Sequence, residues 1–141
     1  MAAINPYLNF DGNTEEVFNF YKSVFGGEFE MVSRFDTMPE EYWPDQSEIN
    51  KIMHISLPIG GGSFLMDSDR PACYGPVNKG DHAYIAIKAD SEEEATKLFN
   101  GLSAGGVVTM PLAKAFWGDF FGMFNDKFGV QWMISYAYDN K

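Results

Sequence analysis

The sequence is poor in cysteine, in positive charge and in long apolar runs. Cys73 is the only cysteine among the 141 residues, so no disulfide can form within the chain and nothing points to an oxidising compartment. Ten lysines and arginines stand against 20 aspartates and glutamates, which leaves a net charge of −10 and argues against nucleic-acid or anionic-membrane partners. No apolar run could span a membrane, and residues 1–6 do not resemble a signal peptide, so we expect a cytoplasmic protein.

Apolar side chains are nevertheless plentiful. Of all residues 45% are hydrophobic and 16% are aromatic, which is ample for a packed interior. A chain of this length favours one compact unit or two small modules that share a core. The order of strand and helix patterns along the chain therefore carries the fold prediction.

The first half of the chain contains one helix pattern among several strand patterns. The strand patterns cover residues 4–10, 28–35, 51–58 and 63–67. After the first strand, Asn13 and Glu16 form an N-cap pair, and apolar residues then recur at helical spacing. Gly26 and Gly27 end this helix.

The second half repeats the same order, which is the strongest structural signal in the sequence. Its strand patterns cover residues 82–89, 107–113, 116–124 and 130–135. Ser91 and Glu94 form a capping box before the second helix, and a second glycine pair ends that helix at 105–106. The last two strands form an aromatic hairpin with Asp126 in its turn.

Two further stretches lack a clear period and are expected to be irregular. Residues 36–50 hold two prolines and five acids around Tyr42 and Trp43, a pair that either covers a cleft or packs between subunits. Residues 68–81 are rich in proline and glycine and read as a linker. Cys73 lies in this linker with no basic residue nearer than Arg70, so we expect an ordinary small side chain there.

The repeat predicts an α+β fold. Two βαβββ modules, 1–69 and 82–138, would make up a single domain over 1–141, with both helices outside. The sheet faces that the helices leave uncovered would then line a central cleft. The alternative is that these faces are merely solvated.

Alternation along the strands places a mixed polar and aromatic set on the uncovered faces. The residues predicted to bind a ligand are Tyr7, His54, Leu65, Asp67, Tyr84, Trp117, Gln131 and Met133. No lysine or arginine falls on these faces, so a planar or aromatic molecule fits them better than a sugar phosphate does. His54 beside Asp67 on the neighbouring strand would be an oriented base, and the alternative is a structural histidine.

Three motifs carry a resemblance to a known family. They are NPYLNFDG at 5–12, FYKSVFGG at 20–27, and Trp117-Gly118 followed by Phe128-Gly129 and Trp132. Over nearly its whole length the chain resembles the PhnB-like, or 3-demethylubiquinone-9 3-methyltransferase-like, branch of the glyoxalase/bleomycin resistance/dioxygenase (vicinal oxygen chelate) superfamily. The resemblance implies paired βαβββ modules and a small-molecule pocket. Together with the high aromatic content, it also implies a homodimer.

The resemblance further indicates where a metal ion would bind. Metal-using members of the superfamily take His or Glu ligands from the first and last strands of each half. The matching positions here hold Asn5, Leu65, Tyr84 and Met133. Such side chains do not offer the imidazole or carboxylate donors that a divalent ion needs, so we expect no metal. The turn at 11–13 is also too short to cradle a methyl-donor cofactor, so we expect no cofactor.

Three functions remain open on the sequence alone. The first is a metal-free protein that binds a small apolar or aromatic molecule. The second is an enzyme of the lyase, isomerase or dioxygenase type that uses a displaced metal site around His54, Asp67 and His82. The third is a structural dimer without a ligand. The residues specify no reaction.

Overall fold

The predicted order of elements occurs twice in the structure. A computed structural model describes residues 4–78, 80 and 82–138. The first half contains β1 (Tyr7–Phe10), α1 (Thr14–Phe25), β2 (Met31–Arg34), β3 (Ile52–Gly60) and β4 (Ser63–Asp69). The second half contains β5 (Ile85–Lys88), α2 (Glu92–Ser103), β6 (Val107–Lys114), β7 (Phe120–Asn125) and β8 (Gln131–Tyr136). The α+β fold with two βαβββ modules is confirmed, and the chain divides into two compact units, one up to Asn78 and one after it.

Each unit contains a mixed sheet of four strands with the same topology. The strand order is β1-β4-β3-β2 in the first unit and β5-β8-β7-β6 in the second. In each sheet the first strand runs parallel to the last, and the other pairs are antiparallel. Parallel neighbours cannot be joined by a tight turn, so the helix and two strands lie between them in sequence.

Helix α1 covers one face of the first sheet. Val17, Phe18 and Tyr21 are fully buried on its inner side. From the sheet, Leu57 pairs with Leu65, and both side chains are fully buried. Burying an apolar side chain of this size contributes about 1.5–3 kcal/mol. This layer is therefore the hydrophobic core of the first unit.

The start of α1 differs from the prediction. Asn13 occupies the N-cap position, but its side chain makes no capping hydrogen bond. Instead the carboxylate of Asp69 accepts hydrogen bonds from the backbone N–H groups of Thr14, at 2.9 Å, and Ile52, at 2.8 Å. A carboxylate at the positive end of a helix is favourable. Asp69 thus joins the helix to two strands of its sheet.

The start of α2 contains the predicted Ser91 cap, and Glu94 bonds back to the residue before that cap. The backbone N–H of Glu94 donates to Oγ of Ser91 at 2.9 Å, and the Glu94 carboxylate accepts from the N–H of Asp90 at 2.7 Å. The buried side chains of this helix are Ala95, Leu98, Phe99 and Leu102. They cover one face of the second sheet, where Phe124 pairs with Trp132 and both are fully buried.

Close packing explains a glycine in β7, and hydrogen bonds to one aspartate explain the turn that follows this strand. Gly122 has no room for a side chain, because a Cβ there would lie 2.6 Å from the ring of Phe99 and 2.9 Å from Cα of Leu112. After β7, the carboxylate of Asp126 accepts from the backbone N–H groups of Phe128 and Val130, as the turn prediction requires. Its other oxygen accepts from Nε1 of Trp132 at 2.9 Å.

The strand predicted over 116–124 is too long at its start. Residues 115–119 form a turn, closed by hydrogen bonds from Gly118 N–H to the Ala115 carbonyl and from Ala115 N–H to the Asp119 carbonyl. Gly118 has a φ of +104°, which side chains rarely adopt and which explains why the turn contains glycine. Phe116 is consequently 97% exposed rather than placed on a strand face.

The other irregular stretches agree with the sequence in part. The loop 36–50 contains short 3₁₀ turns, and the stretch after β4 contains one more at Ala72–Tyr74, while residues 79 and 81 of the predicted linker lie outside the described residues. Strands β1 and β5 are shorter than predicted. Helices α1 and α2 have 12 residues each, and neither is long and apolar enough to cross a bilayer, which takes about 20 residues.

Candidate functional site

The face of the first sheet that points away from α1 carries polar and aromatic side chains. Tyr7 and His54 are brought together on it, with the tyrosine hydroxyl 3.3 Å from Nδ1 of the imidazole and the ring centroids 5.7 Å apart. Two residues further along β1, Asn9 lies beside its strand partner Ser68, whose hydroxyl donates to the Asn9 amide oxygen at 3.2 Å. These four residues are part of one continuous polar surface.

Two predicted site residues lie on the opposite face. Leu65 pairs with Leu57, and Asp67 pairs with Ile55, so both point with these partners into the layer beneath α1. The expectation that they share a face with His54 is wrong, because the antiparallel register decides the face and a strand alternates at every residue. The oriented base predicted from His54 and Asp67 is therefore not formed.

Asp67 is an acid in the hydrophobic core. Its side chain is fully buried, and neither carboxylate oxygen has a hydrogen-bond partner of normal geometry among the described residues. Burial raises its pKa to about 8, and the charge of Asp69 adds to this, although the nearby N–H of Ser68 and hydroxyl of Thr14 act in the opposite direction. Asp67 is thus mainly a neutral acid at physiological pH.

A cavity opens where the first sheet meets the loop 36–50. It has a volume of about 470 Å³. Its apolar lining consists of Phe35, Met38, Tyr42, Trp43, Pro44, Met53, Pro71 and Tyr74. Nε1 of Trp43 donates to the Met38 carbonyl at 2.9 Å, which fixes the indole against the loop. We call this cavity the loop pocket.

Polar residues also line the loop pocket. They are Asn9, Ser68, Asp69, Arg70 and Cys73. The Arg70 guanidinium donates from Nε to the Gly75 carbonyl at 2.8 Å and from Nη2 to the Tyr74 carbonyl at 2.6 Å. Its carbon Cζ lies 6.0 Å from the centre of the Tyr74 ring. Cys73 is a free, exposed thiol.

The sequence prediction missed most of this pocket. For Tyr42 and Trp43 the sequence leaves two alternatives, a cover over a cleft or packing between subunits. Both residues line the loop pocket, and their packing between subunits stays a prediction. Arg70, which directly follows β4, was not among the predicted site residues. The sequence feature that could have indicated this pocket is the group of Arg70, Cys73 and Tyr74. These residues lie close together in the predicted linker rather than on a strand face.

The remaining predicted site residues belong to the second unit. Gln131 and Met133 lie on the face away from α2, because their neighbours Trp132 and Ile134 fill the core. The Gln131 amide donates to the Ala83 carbonyl at 2.7 Å. Trp117 lies in the β6–β7 turn with its ring 5.3 Å from that of Phe121. Tyr84 directly precedes β5, outside the strand in which it was predicted to lie.

Comparison with known proteins identifies the family that has this architecture. The family model described as Glyoxalase/Bleomycin resistance protein/Dioxygenase superfamily matches residues 3–134. The chain belongs to this superfamily.

Several known proteins are similar to this chain over nearly their full length. Protein YjdN of Escherichia coli strain K12 is 30% identical over 142 residues, which cover 94% of this chain and 93% of the relative. The crystal structure of protein PA1353 from Pseudomonas aeruginosa matches with a TM-score of 0.86 at 41% identity, over 99% of this chain and 100% of that one. A Bacillus cereus structure described as a putative 3-demethylubiquinone-9 3-methyltransferase, PhnB protein, matches with a TM-score of 0.73 at 29% identity, over 96% and 100% of the two chains.

The residues at the superfamily's metal positions do not fit a divalent ion. Leu65 is a buried hydrocarbon, and the side-chain oxygen of Asn5 already accepts the backbone N–H of Phe64 at 2.9 Å. Tyr84 and Met133 supply a phenol and a thioether, which are poor ligands for the hard or borderline ions of such sites. Within the described residues, no group of three or more His, Cys, Asp or Glu side chains is close enough to hold a metal.

Proposed function

We propose that this chain is a binding protein that holds a small apolar or aromatic molecule without a metal ion. The observation that carries the proposal is the loop pocket. Its volume of about 470 Å³ falls in the range of small-molecule sites, and aromatic rings and methionines dominate its wall. Burial of a planar molecule against these side chains would supply most of the affinity, at about 25 cal/mol per Å² of apolar surface.

The surface next to the loop pocket supports the same proposal. Tyr7 and His54 form a paired phenol and imidazole on the face that also carries Asn9, and such groups orient a ligand by hydrogen bonds. For the second unit by itself, we propose that Tyr84, Trp117, Gln131 and Met133 contact a ligand, as the sequence predicts. Leu65 and Asp67 are not included, because they are buried beneath α1.

The displaced metal site is not proposed. His54 and Asp67 lie on opposite faces of the sheet and cannot share an ion from one side. The homodimer remains a proposal, supported by the exposed apolar side chains of the edge strand β6, which include Val107, Val108 and Met110. The cytoplasmic location expected from the sequence stays a prediction.

The test uses 2-naphthamide, a neutral planar probe, in two measurements. A ligand that binds only the folded chain raises the melting temperature, so wild-type protein should melt higher in its presence. Cys73 lines the pocket and is the only thiol, so a bound probe should also slow its alkylation by iodoacetamide. An unchanged melting temperature together with unchanged alkylation would contradict the proposal.

A pair of variants locates the binding. Tyr42→Ala removes an exposed pocket ring and should lower the affinity by about tenfold, which corresponds to about 1.4 kcal/mol. Met31→Ala is the matched control, because it truncates an exposed apolar side chain on β2 that does not line the pocket. Equal affinities in the two variants would exclude the loop pocket as the site.

A further inference from the structure

We infer that the loop pocket selects planar aromatic molecules that carry a carboxylate, and that Arg70 is the residue that recognises this group. The inference rests on the proposed function and adds the chemical class of the ligand. It depends on the position of one guanidinium, on the state of the acids around it, and on the rings beside it.

The guanidinium of Arg70 is held in place before any ligand arrives. Two carbonyl groups, of Tyr74 and Gly75, accept hydrogen bonds from Nη2 and Nε. Its third nitrogen, Nη1, makes no hydrogen bond to any described residue. A donor that is already oriented loses little entropy on binding, and guanidinium matches the planar geometry of a carboxylate.

The positive charge of Arg70 is not used in an ion pair within the described residues. Lys22 and Arg34, in the same unit, pair with Glu28 at 3.0 Å and Glu15 at 2.8 Å. In a chain with twice as many acids as bases, 20 against 10, an arginine that lines a pocket without such a pair is available to an anionic ligand.

The acid nearest to Arg70 in the pocket already has hydrogen-bond partners for both of its oxygens. Asp69 is buried, and its two oxygens accept the backbone N–H groups of Thr14 and Ile52. The positive end of α1 further offsets its charge. Glu48 and Asp11 line a neighbouring cavity to which Arg70 also contributes, and their carboxylates accept the N–H groups of Ala72 and Val77.

Neighbouring groups suit the rest of the proposed ligand. The amide oxygen of Asn9 is bonded to Ser68, which leaves the Asn9 NH₂ group as a second donor on the pocket wall. The rings of Tyr42, Trp43 and Tyr74 line the same pocket and present apolar faces to a planar ring system. A pocket lined by both hydrogen-bond donors and aromatic rings matches an aromatic carboxylate.

The experiment compares 2-naphthoate with 2-naphthamide, which share the ring system and differ in charge. Titration calorimetry on wild-type protein should give an affinity at least about tenfold higher for the naphthoate. Arg70→Gln should remove this preference while the naphthamide affinity stays within about twofold. Arg70→Lys keeps the charge without the fork and should retain part of the preference.

Arg34→Gln is the matched control, because it removes a guanidinium of the same unit that lies outside the pocket. It should leave the preference unchanged. If wild-type protein binds both probes equally, the inference is overturned while the proposed function stands. If neither probe binds, both fail. The wild-type ratio decides the question even if Arg70→Gln does not fold.

Discussion

At the scale of single residues, the buried acid Asp67 makes stability depend on pH. Its pKa is about 8 in the folded chain against 3.8 for an ordinary aspartate, so between these values the folded state binds a proton that the unfolded state releases. The stability that the protonated Asp67 gives the folded chain is fully present below about pH 4 and is lost as the pH rises through about 8. In that window, unfolding free energy should fall by about 1.4 kcal/mol per pH unit from this group.

Urea unfolding of wild-type protein and Asp67→Asn from pH 5 to pH 8 isolates this effect. The amide cannot ionise, so the difference in unfolding free energy should grow in favour of the variant as the pH rises. Parallel pH profiles for the two proteins would show that the Asp67 pKa is ordinary.

A second residue-scale prediction concerns the cap of α1. Asp69→Ala removes two hydrogen bonds from a buried carboxylate and should lower the unfolding free energy by about 2–4 kcal/mol. Asn13→Ala is its control, and it should cost less than about 0.5 kcal/mol because the Asn13 side chain makes no capping bond. Chemical denaturation measures both. A larger loss from Asn13→Ala would restore the sequence-based assignment of the cap.

At the scale of elements, the helices, the repeat and several strand faces could be predicted from sequence, whereas the face of β4 could not. The pair of Ser91 and Glu94 is a local signal for a helix start, and in the structure Ser91 caps α2 as this signal predicts. The face of Leu65 depends on its pairing with Leu57, which no local pattern specifies. Asp67 shares that face, and a carboxyl in a core contradicts the usual pattern of burial.

The loop pocket could not be predicted from the sequence, because it also depends on contacts between residues far apart in the chain. The loop 36–50 has no period, so its local sequence does not place Tyr42 and Trp43 beside any strand. Cys73 and Tyr74 reach the same cavity from a segment about 30 residues further along the chain. Such contacts between irregular segments arise only from the complete fold.

An element-scale prediction follows from the packing of β7 against α2. Gly122→Ala would place a methyl group 2.6 Å from the Phe99 ring and 2.9 Å from the Leu112 backbone, and the backbone contact cannot relax by a side-chain rotation. The variant should lose about 1–3 kcal/mol of unfolding free energy, measured by thermal or chemical denaturation. A neutral or stabilising effect would mean that β7 lies farther from Phe99 on α2 and from Leu112 on β6.

At the scale of the whole molecule, the proposed homodimer has a direct test. Light scattering at micromolar concentration should give twice the 15.8 kDa mass of one chain. Val108→Lys, on the exposed edge strand β6, should reduce this to the monomer mass, because a charge opposes pairing of apolar edges. Met31→Lys, on the edge strand β2, is the control and should remain dimeric. A monomeric wild-type protein would exclude the dimer.

The central claim, that the loop pocket binds a planar aromatic molecule, is tested most directly by methionine methyl NMR. Met38 and Met53 line the pocket, whereas Met110 lies on β6 in the second unit. In protein labelled with ¹³C at the methionine methyl groups, 2-naphthamide should shift the Met38 and Met53 signals through the ring current of the bound probe and leave Met110 unchanged. Signals of Met38 and Met53 that stay in place at saturating probe would contradict the claim.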